Sequence, residues 1–281
     1  MTATVAELMP KVSLGPHAVS RLIVGGNPFS GNSHQSSVLD AEMRHYYTGH
    51  RVLETLHRCQ KWGVNAFQSR GDNHMMRLVN DYHLAGGRLL WIAESASERA
   101  DMRANVSQIV RAGAVAIYHH GARTDRLWQQ GDIAVVREDL KPIRDTGALV
   151  GLGTHIPAVI SHAEDENWDL DFYMASLYNP TALAPAGSPA ATAGTSSDQF
   201  LGRDRELMTK TIRLTRKPVL AFKVLAAGRL SRTREALASA LRYAFSNIKP
   251  TDAVVVGIFT KYGDQVAQDA LLAMELGQPQ S

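Results

Sequence analysis

Residues 64–74 read VNAFQSRGDNH. The apolar positions Val64, Ala66 and Phe67 give way at once to Gln68, Ser69, Arg70, Asp72, Asn73 and His74. A short apolar run that stops in a burst of polar groups reads as a buried strand whose carboxyl end presents side chains to a site. The residues before it complete a unit. Over 52–62, Val52, Leu56, Cys59 and Trp62 share nearly one helical face, and Gly63 ends that helix.

The unit recurs along the chain. Strands are predicted at 21–25, 65–68, 89–93, 114–119, 149–153, 172–176, 219–223 and 253–257. Helices are predicted at 52–62, 75–84, 101–112, 133–146, 158–167, 205–215, 232–246 and 265–276. The links from helix to strand are short and carry glycine, as in WGVNAF, AGAVAI and TGALVG. Eight strands, each followed by a helix, predict an α/β fold of the (β/α)8 TIM-barrel type, a single domain over 1–281 with its core at about 13–276. An open doubly wound sheet is disfavoured, because GGNPFSGNSH after the first strand lacks the GxGxxG turn and the helix start it needs. Two long loops follow strands one and six, at 26–50 and 179–204. The second is rich in Ala, Pro, Gly, Ser and Thr and reads as a substrate lid or a packing-resistant insertion.

Composition narrows the partners. The 281 residues are 44% hydrophobic, and 30 basic against 27 acidic residues give a formal charge of +3. That balance argues against nucleic acid, and no apolar run approaches the ~20 residues of a membrane span. One cysteine, Cys59, excludes a disulfide framework and a CxxC metal site. The first residues lack a basic and then apolar leader pattern, so a cytoplasmic setting is the expectation. The expected partner is a small-molecule substrate.

In such a barrel, chemistry sits at the carboxyl ends of the strands. Those ends supply Asn27, then Gln68, Arg70 and Asp72, then Glu94, then His119 and His120 with Arg123 and Asp125 beyond, then His155, then Tyr178 and Asn179, then Lys223. Of eleven histidines, His119, His120 and His155 fall at strand ends. Glu94, His120 and His155 have the donor types of a divalent metal shell for Zn, Mn or Fe. Strand alternation sends only one ring of the His119–His120 pair inward. A lysine at the end of the apolar run VLAFK, Lys223, is a candidate base or Schiff-base nucleophile. The expected catalytic set is Glu94, His120, Lys223 and Asp72. The expected substrate contacts are Asn27, Gln68, Arg70, His119, Tyr178 and Asn179.

Several stretches resemble the aldo-keto reductases. LGPHAVSRLIVGG is similar to their opening, LHRCQKWGVNAFQSRGD to their second-strand region and IRDTGALVGLGTHIPAVI to the passage into strand five. DFYMASLYNP, VLAAGRL and VVVGIFTKYGDQVAQDALLAMEL resemble strand six, strand seven and the closing strand and helix. The resemblance implies a barrel and an NADP-dependent tetrad of Asp, Tyr, Lys and His. The tetrad is not retained. Its Asp position reads Gln68, its Tyr is absent near Asp72 and Asn73, its Thr-Lys pair reads Glu94-Ser95, and only its His has a counterpart in His119 or His120. The strand-five Ser-Asn reads Thr154-His155, the strand-six Gln reads Ala175, and the closing helix offers Gln265 and Asp269. Without a tyrosine proton donor and its lysine, carbonyl reduction lacks its acid. The expectation is a non-redox lyase, isomerase or hydrolase acting by acid–base chemistry, with or without a divalent metal, on a small carbohydrate-like or hydroxy-acid substrate. The competing readings are an NAD(P)H-dependent oxidoreductase with an altered tetrad and a ligand-binding barrel without turnover.

Overall fold

Every predicted strand forms, and the alternation within each strand decides what faces inward. The chain begins with an antiparallel hairpin, β1 (Lys11–Leu14) and β2 (His17–Ser20). Eight parallel strands then close a barrel in chain order: β3 (Leu22–Gly25), β4 (Ala66–Arg70), β5 (Leu90–Glu94), β6 (Ala114–His119), β7 (Leu149–Thr154), β8 (Phe172–Ser176), β9 (Val219–Phe222) and β10 (Ala253–Gly257). This computed structural model describes residues 4–97, 99, 101–180 and 200–279. The predicted loop 179–204 therefore falls mostly outside the described residues.

Two apolar cores result from the period of two. Ile23, Ala66, Ile92, Ala116, Phe172, Met174, Leu220 and Val255 fill the barrel interior. Val24, Phe67, Trp91, Ile117, Val150, Tyr173 and Val254 face the helix layer. The hairpin packs against the interior set through Leu14 and Val19, both fully buried, and so covers the amino-terminal end of the barrel. Its turn glycine, Gly15, has φ +55°, and a Cβ there would lie 2.7 Å from the Leu149 side chain at the start of β7. The positive φ favours glycine, and any Cβ there would require the Leu149 side chain to shift.

The outer layer comprises α1 (Ser37–Tyr46), α2 (Gly49–Lys61), α3 (Asn73–Leu84), α4 (Met102–Arg111), α5 (Gly121–Gln130), α6 (Ile133–Arg144), α7 (Pro157–Asp165), α8 (Gly202–Leu214), α9 (Arg234–Asn247) and α10 (Gln265–Leu276). The predicted loop 26–50 holds α1, which Ser36 caps by accepting from the Leu39 N–H at 3.2 Å. This segment is fastened to the loop after β10. Tyr47 donates to the Ile258 carbonyl at 2.7 Å, and Glu42 accepts from Lys261 and Tyr262. Helix α5 was not visible as an apolar stripe, because the residues it buries include Thr124 and Asp125. The same feature that hides it from a hydrophobic pattern gives it a role in the site.

Candidate functional site

Inward parity along β4, β5 and β6 carries from Ala66, Ile92 and Ala116 to Gln68, Glu94 and Tyr118. These three meet at the barrel mouth. Gln68 donates through Nε2 to Tyr118 Oη at 2.7 Å, and Tyr118 donates to Glu94 Oε1 at 3.3 Å. His120, two residues beyond Tyr118, brings Nε2 to 3.6 Å from the same oxygen. Arg70 Nη1 stands 4.0 Å from Glu94 Oε2. Burial, reinforced by the Glu94 charge, holds the Tyr118 hydroxyl well above its ordinary pKa. Tyr118 is thus a donor that orients the carboxylate and not a base. The Nδ1 of His120 is buried and meets no hydrogen-bond partner among the described residues.

A second chain stands beside the first. Asp125, the fifth residue of α5, accepts from His155 Nδ1 at 2.6 Å and from the Thr154 hydroxyl at 2.5 Å. The His155 backbone N–H points to the same carboxylate at 3.2 Å from each oxygen. A carboxylate only accepts, so His155 carries its proton on Nδ1 and turns the Nε2 lone pair outward. There it meets Lys223 Nζ at 3.2 Å. Burial pulls the His155 pKa down, Asp125 opposes that, and the Lys223 charge adds to it. The ring is accordingly neutral at neutral pH. Glu94 also acts electrostatically on His155, which links the two chains. Lys223 directly follows β9 with φ +57°, a left-handed conformation that a lysine adopts only at a cost. Strain of this kind recurs at functional positions.

One member of each chain, Gln68 and Lys223, lines a cavity of about 220 Å³ together with Asn27 and Phe222, whereas Glu94, His120 and His155 are not among its lining residues. The cavity extends between the loop after β9 and the start of α10, past Gly228, Gly257, Gln265 and Asp269.

Other predicted residues have different surroundings. Asp72 caps α3, accepting from the Met75 N–H at 2.9 Å, and its remaining neighbour is Arg70 at 3.9 Å. The expected catalytic residue Asp72 thus serves as a helix cap in this structure. His119 has outward parity and is fully buried, bonded to Thr124 at 2.7 Å and to Asp139 at 3.2 Å. Burial lowers its pKa, and it ties β6 to α5 and α6 instead of meeting substrate. Tyr178 is buried edge-on against Phe200 with ring centroids 5.4 Å apart, away from the cavity lining. The Asn179 N–H points to Asp204 at 3.4 Å. The expected metal trio is not brought together. Glu94 and His120 are adjacent, but both ring nitrogens of His155 are engaged by Asp125 and Lys223. Among the described residues no cluster of three or more His, Cys, Asp or Glu side chains could hold a metal ion.

Two participants carried no predicted role. Tyr118 was legible in principle, since a residue two before an inward His must also point inward. Asp125 was not, because its position depends on α5 folding back over β7.

The resemblance to the reductases implies NADP, and the cavity tests that implication. Gln265 is held through its Oε1 by the Phe259 N–H at 2.7 Å. Asp269 is 3% exposed. Burial raises its pKa to about 7. A buried carboxylate and a committed amide offer no counter-charge to phosphates on this helix, so the group fits this wall poorly.

No protein-family model matches the chain, and no curated protein matches it at the sequence level. Solved structures do. The holo form of an aldo-keto reductase from Bacillus halodurans is 12% identical, with 97% of this chain and 93% of that one covered and a TM-score of 0.58. A variant of Gox0644 in complex with NADPH is 10% identical over 97% and 94%, with a TM-score of 0.54. A glycerol dehydrogenase from Gluconobacter oxydans is 13% identical over 96% and 97%, at 0.50. At these identities the likeness is one of fold: an aldo-keto-reductase-like (β/α)8 barrel.

Proposed function

We propose that this barrel is a non-redox enzyme of lyase or isomerase type, which moves protons on a small, hydroxyl-rich carbonyl compound such as a short sugar or an oxo- or hydroxy-acid. The observation that carries the reading is the carboxylate of Glu94, held by Tyr118 at 3.3 Å with His120 at 3.6 Å on one of its oxygens. A carboxylate oriented by a group that does not itself titrate near neutrality is suited to general base work. In this reading Glu94 takes a proton from the carbon beside the carbonyl, and His120 moves the proton at the substrate oxygen. Gln68, Arg70 and Asn27 hold hydroxyl or carboxylate groups, a use that suits their amide and guanidinium donors. The unpartnered Nδ1 of His120 supports a ligand at that point, since buried polar atoms are seldom left unmet.

The test is proton exchange. Dihydroxyacetone, glyceraldehyde and pyruvate are incubated with the protein in deuterium oxide and followed by proton NMR. Wild type should incorporate deuterium beside the carbonyl at least about 10²-fold faster than Glu94→Gln. Equal rates in the two proteins would remove the reading. Oxidation of NADPH by the same compounds, without exchange, would favour the oxidoreductase reading in its place.

A further inference from the structure

We infer that Lys223 is a nucleophile, and that the protein captures its carbonyl substrate as a covalent iminium on this lysine. The inference deepens the acid–base reading above and rests on it for the substrate class.

Three observations converge. The first is the line from Asp125 through His155 to Lys223, at 2.6 and 3.2 Å. A nucleophile within reach of a base, with that base oriented by a third group, is the arrangement that activates weak nucleophiles. An amine adds to a carbonyl only after giving up a proton, and His155 Nε2 is the lone pair placed to take it. Asp125 faces the imidazolium so formed, with Thr154 and the His155 N–H completing its own bonds. The second is the backbone. Lys223 ends its strand with φ +57°, and Ala226 and Ala227 follow at +48° and +53°. Three non-glycine residues in left-handed conformations within five positions hold this turn in a shape that favours glycine. The third is location: Lys223, Gln68 and Asn27 line one cavity, so an amine and amide donors address the same volume.

The step balances without an oxidant or reductant. The Lys223 ammonium gives one proton to His155, and the nitrogen forms a bond to the carbonyl carbon. The carbonyl oxygen receives the proton held by His155 and then the second proton lost by nitrogen, and it departs as water. Ammonium and carbonyl have become a protonated iminium and one water. The cationic iminium withdraws electrons from the neighbouring carbon and so acidifies the proton assigned to Glu94.

Reductive trapping reads this directly. The full-length protein is incubated with glycolaldehyde, dihydroxyacetone or pyruvate and sodium cyanoborohydride, and adducts are mapped by mass spectrometry of the intact chain and its peptides. Lys223 should be labelled at least tenfold faster than any other lysine by one of the three. The site should be lost in Lys223→Met and in the charge-retaining Lys223→Arg. His155→Asn should slow labelling of Lys223 at least tenfold with an unchanged circular dichroism spectrum. Labelling of Lys223 no faster than that of the exposed Lys61 with all three compounds would overturn the inference. So would equal rates in wild type and His155→Asn. If trapping fails while Glu94-dependent exchange persists, the iminium falls and the acid–base reading stands. If trapping succeeds and exchange is absent, the converse holds.

Discussion

At Lys223 the backbone and the side chain make opposed demands. A left-handed φ costs a residue with a Cβ roughly 1–2 kcal/mol, and glycine escapes that cost. Lys223→Ala should therefore be about 1 kcal/mol less stable than Lys223→Gly in urea titrations, although alanine is the better residue in most backbone settings. Equal stability would mean that the turn relaxes and is not imposed by its neighbours. Asp269 poses a second residue-scale question. Its folded pKa of about 7 lies above the ordinary carboxyl value of roughly 4. Between those values the folded chain holds a proton that the unfolded chain has lost, so stability falls as pH rises from about 4 to about 7 and levels off above. Asp269→Asn removes that loss. Its melting temperature should exceed that of wild type at pH 8, by roughly 2–4 °C per kcal/mol recovered, and the gap should close near pH 4. A gap independent of pH would show that the carboxyl is not the source.

Elements carry the site by their ends. β4, β5 and β6 each finish in the polar groups that face the mouth, and α5 turns back at once to bring Asp125 to His155. Helix α3 begins where the opening stretch VNAFQSRGDNH ends, and Asp72 is its cap. Asp72→Ala should cost about 1 kcal/mol of stability in chemical denaturation. A loss well below that would return Asp72 to the functional candidates, since the cap would not account for it. The α1 segment across the mouth is held by Tyr47 on Ile258 and by Glu42 on Lys261, two contacts that set one wall of the entrance.

The whole molecule depends on the end of the barrel opposite the site. Arg21 is 2% exposed and donates to three carbonyls, those of Asp252 at 2.9 Å, Gly277 at 2.7 Å and Lys249 at 3.1 Å, with Phe245 against its guanidinium. It ties the first barrel strand to the last and to the end of α10. Arg21→Met keeps most of the bulk and leaves those carbonyls unmet. It should destabilise the protein by about 3 kcal/mol in guanidinium titrations. The site, at the other end of the strands, is expected to keep its trapping behaviour in whatever fraction remains folded. A stability loss under about 1 kcal/mol would show that the closure is held by strand pairing and packing alone.

What the sequence determined by itself was the order and period of the elements. Apolar runs of four to six residues, glycines after helices and polar strand ends are local features, and they were enough to predict all eight barrel strands and the face on which chemistry should sit. Parity showed that only one ring of the His119–His120 pair turns inward, and the structure shows which, since His119 is fully buried against Thr124 and Asp139. What the sequence could not determine was which polar ends meet. Glu94 finds Tyr118, and His155 finds Asp125 and Lys223, across 24, 30 and 68 residues of chain. Those meetings follow from barrel closure and from α5 folding over β7, and no residue pattern encodes them locally. Asp72 and His119 show the same limit: each bears a reactive group, and only the packed structure shows that a helix end and a buried interface already use it.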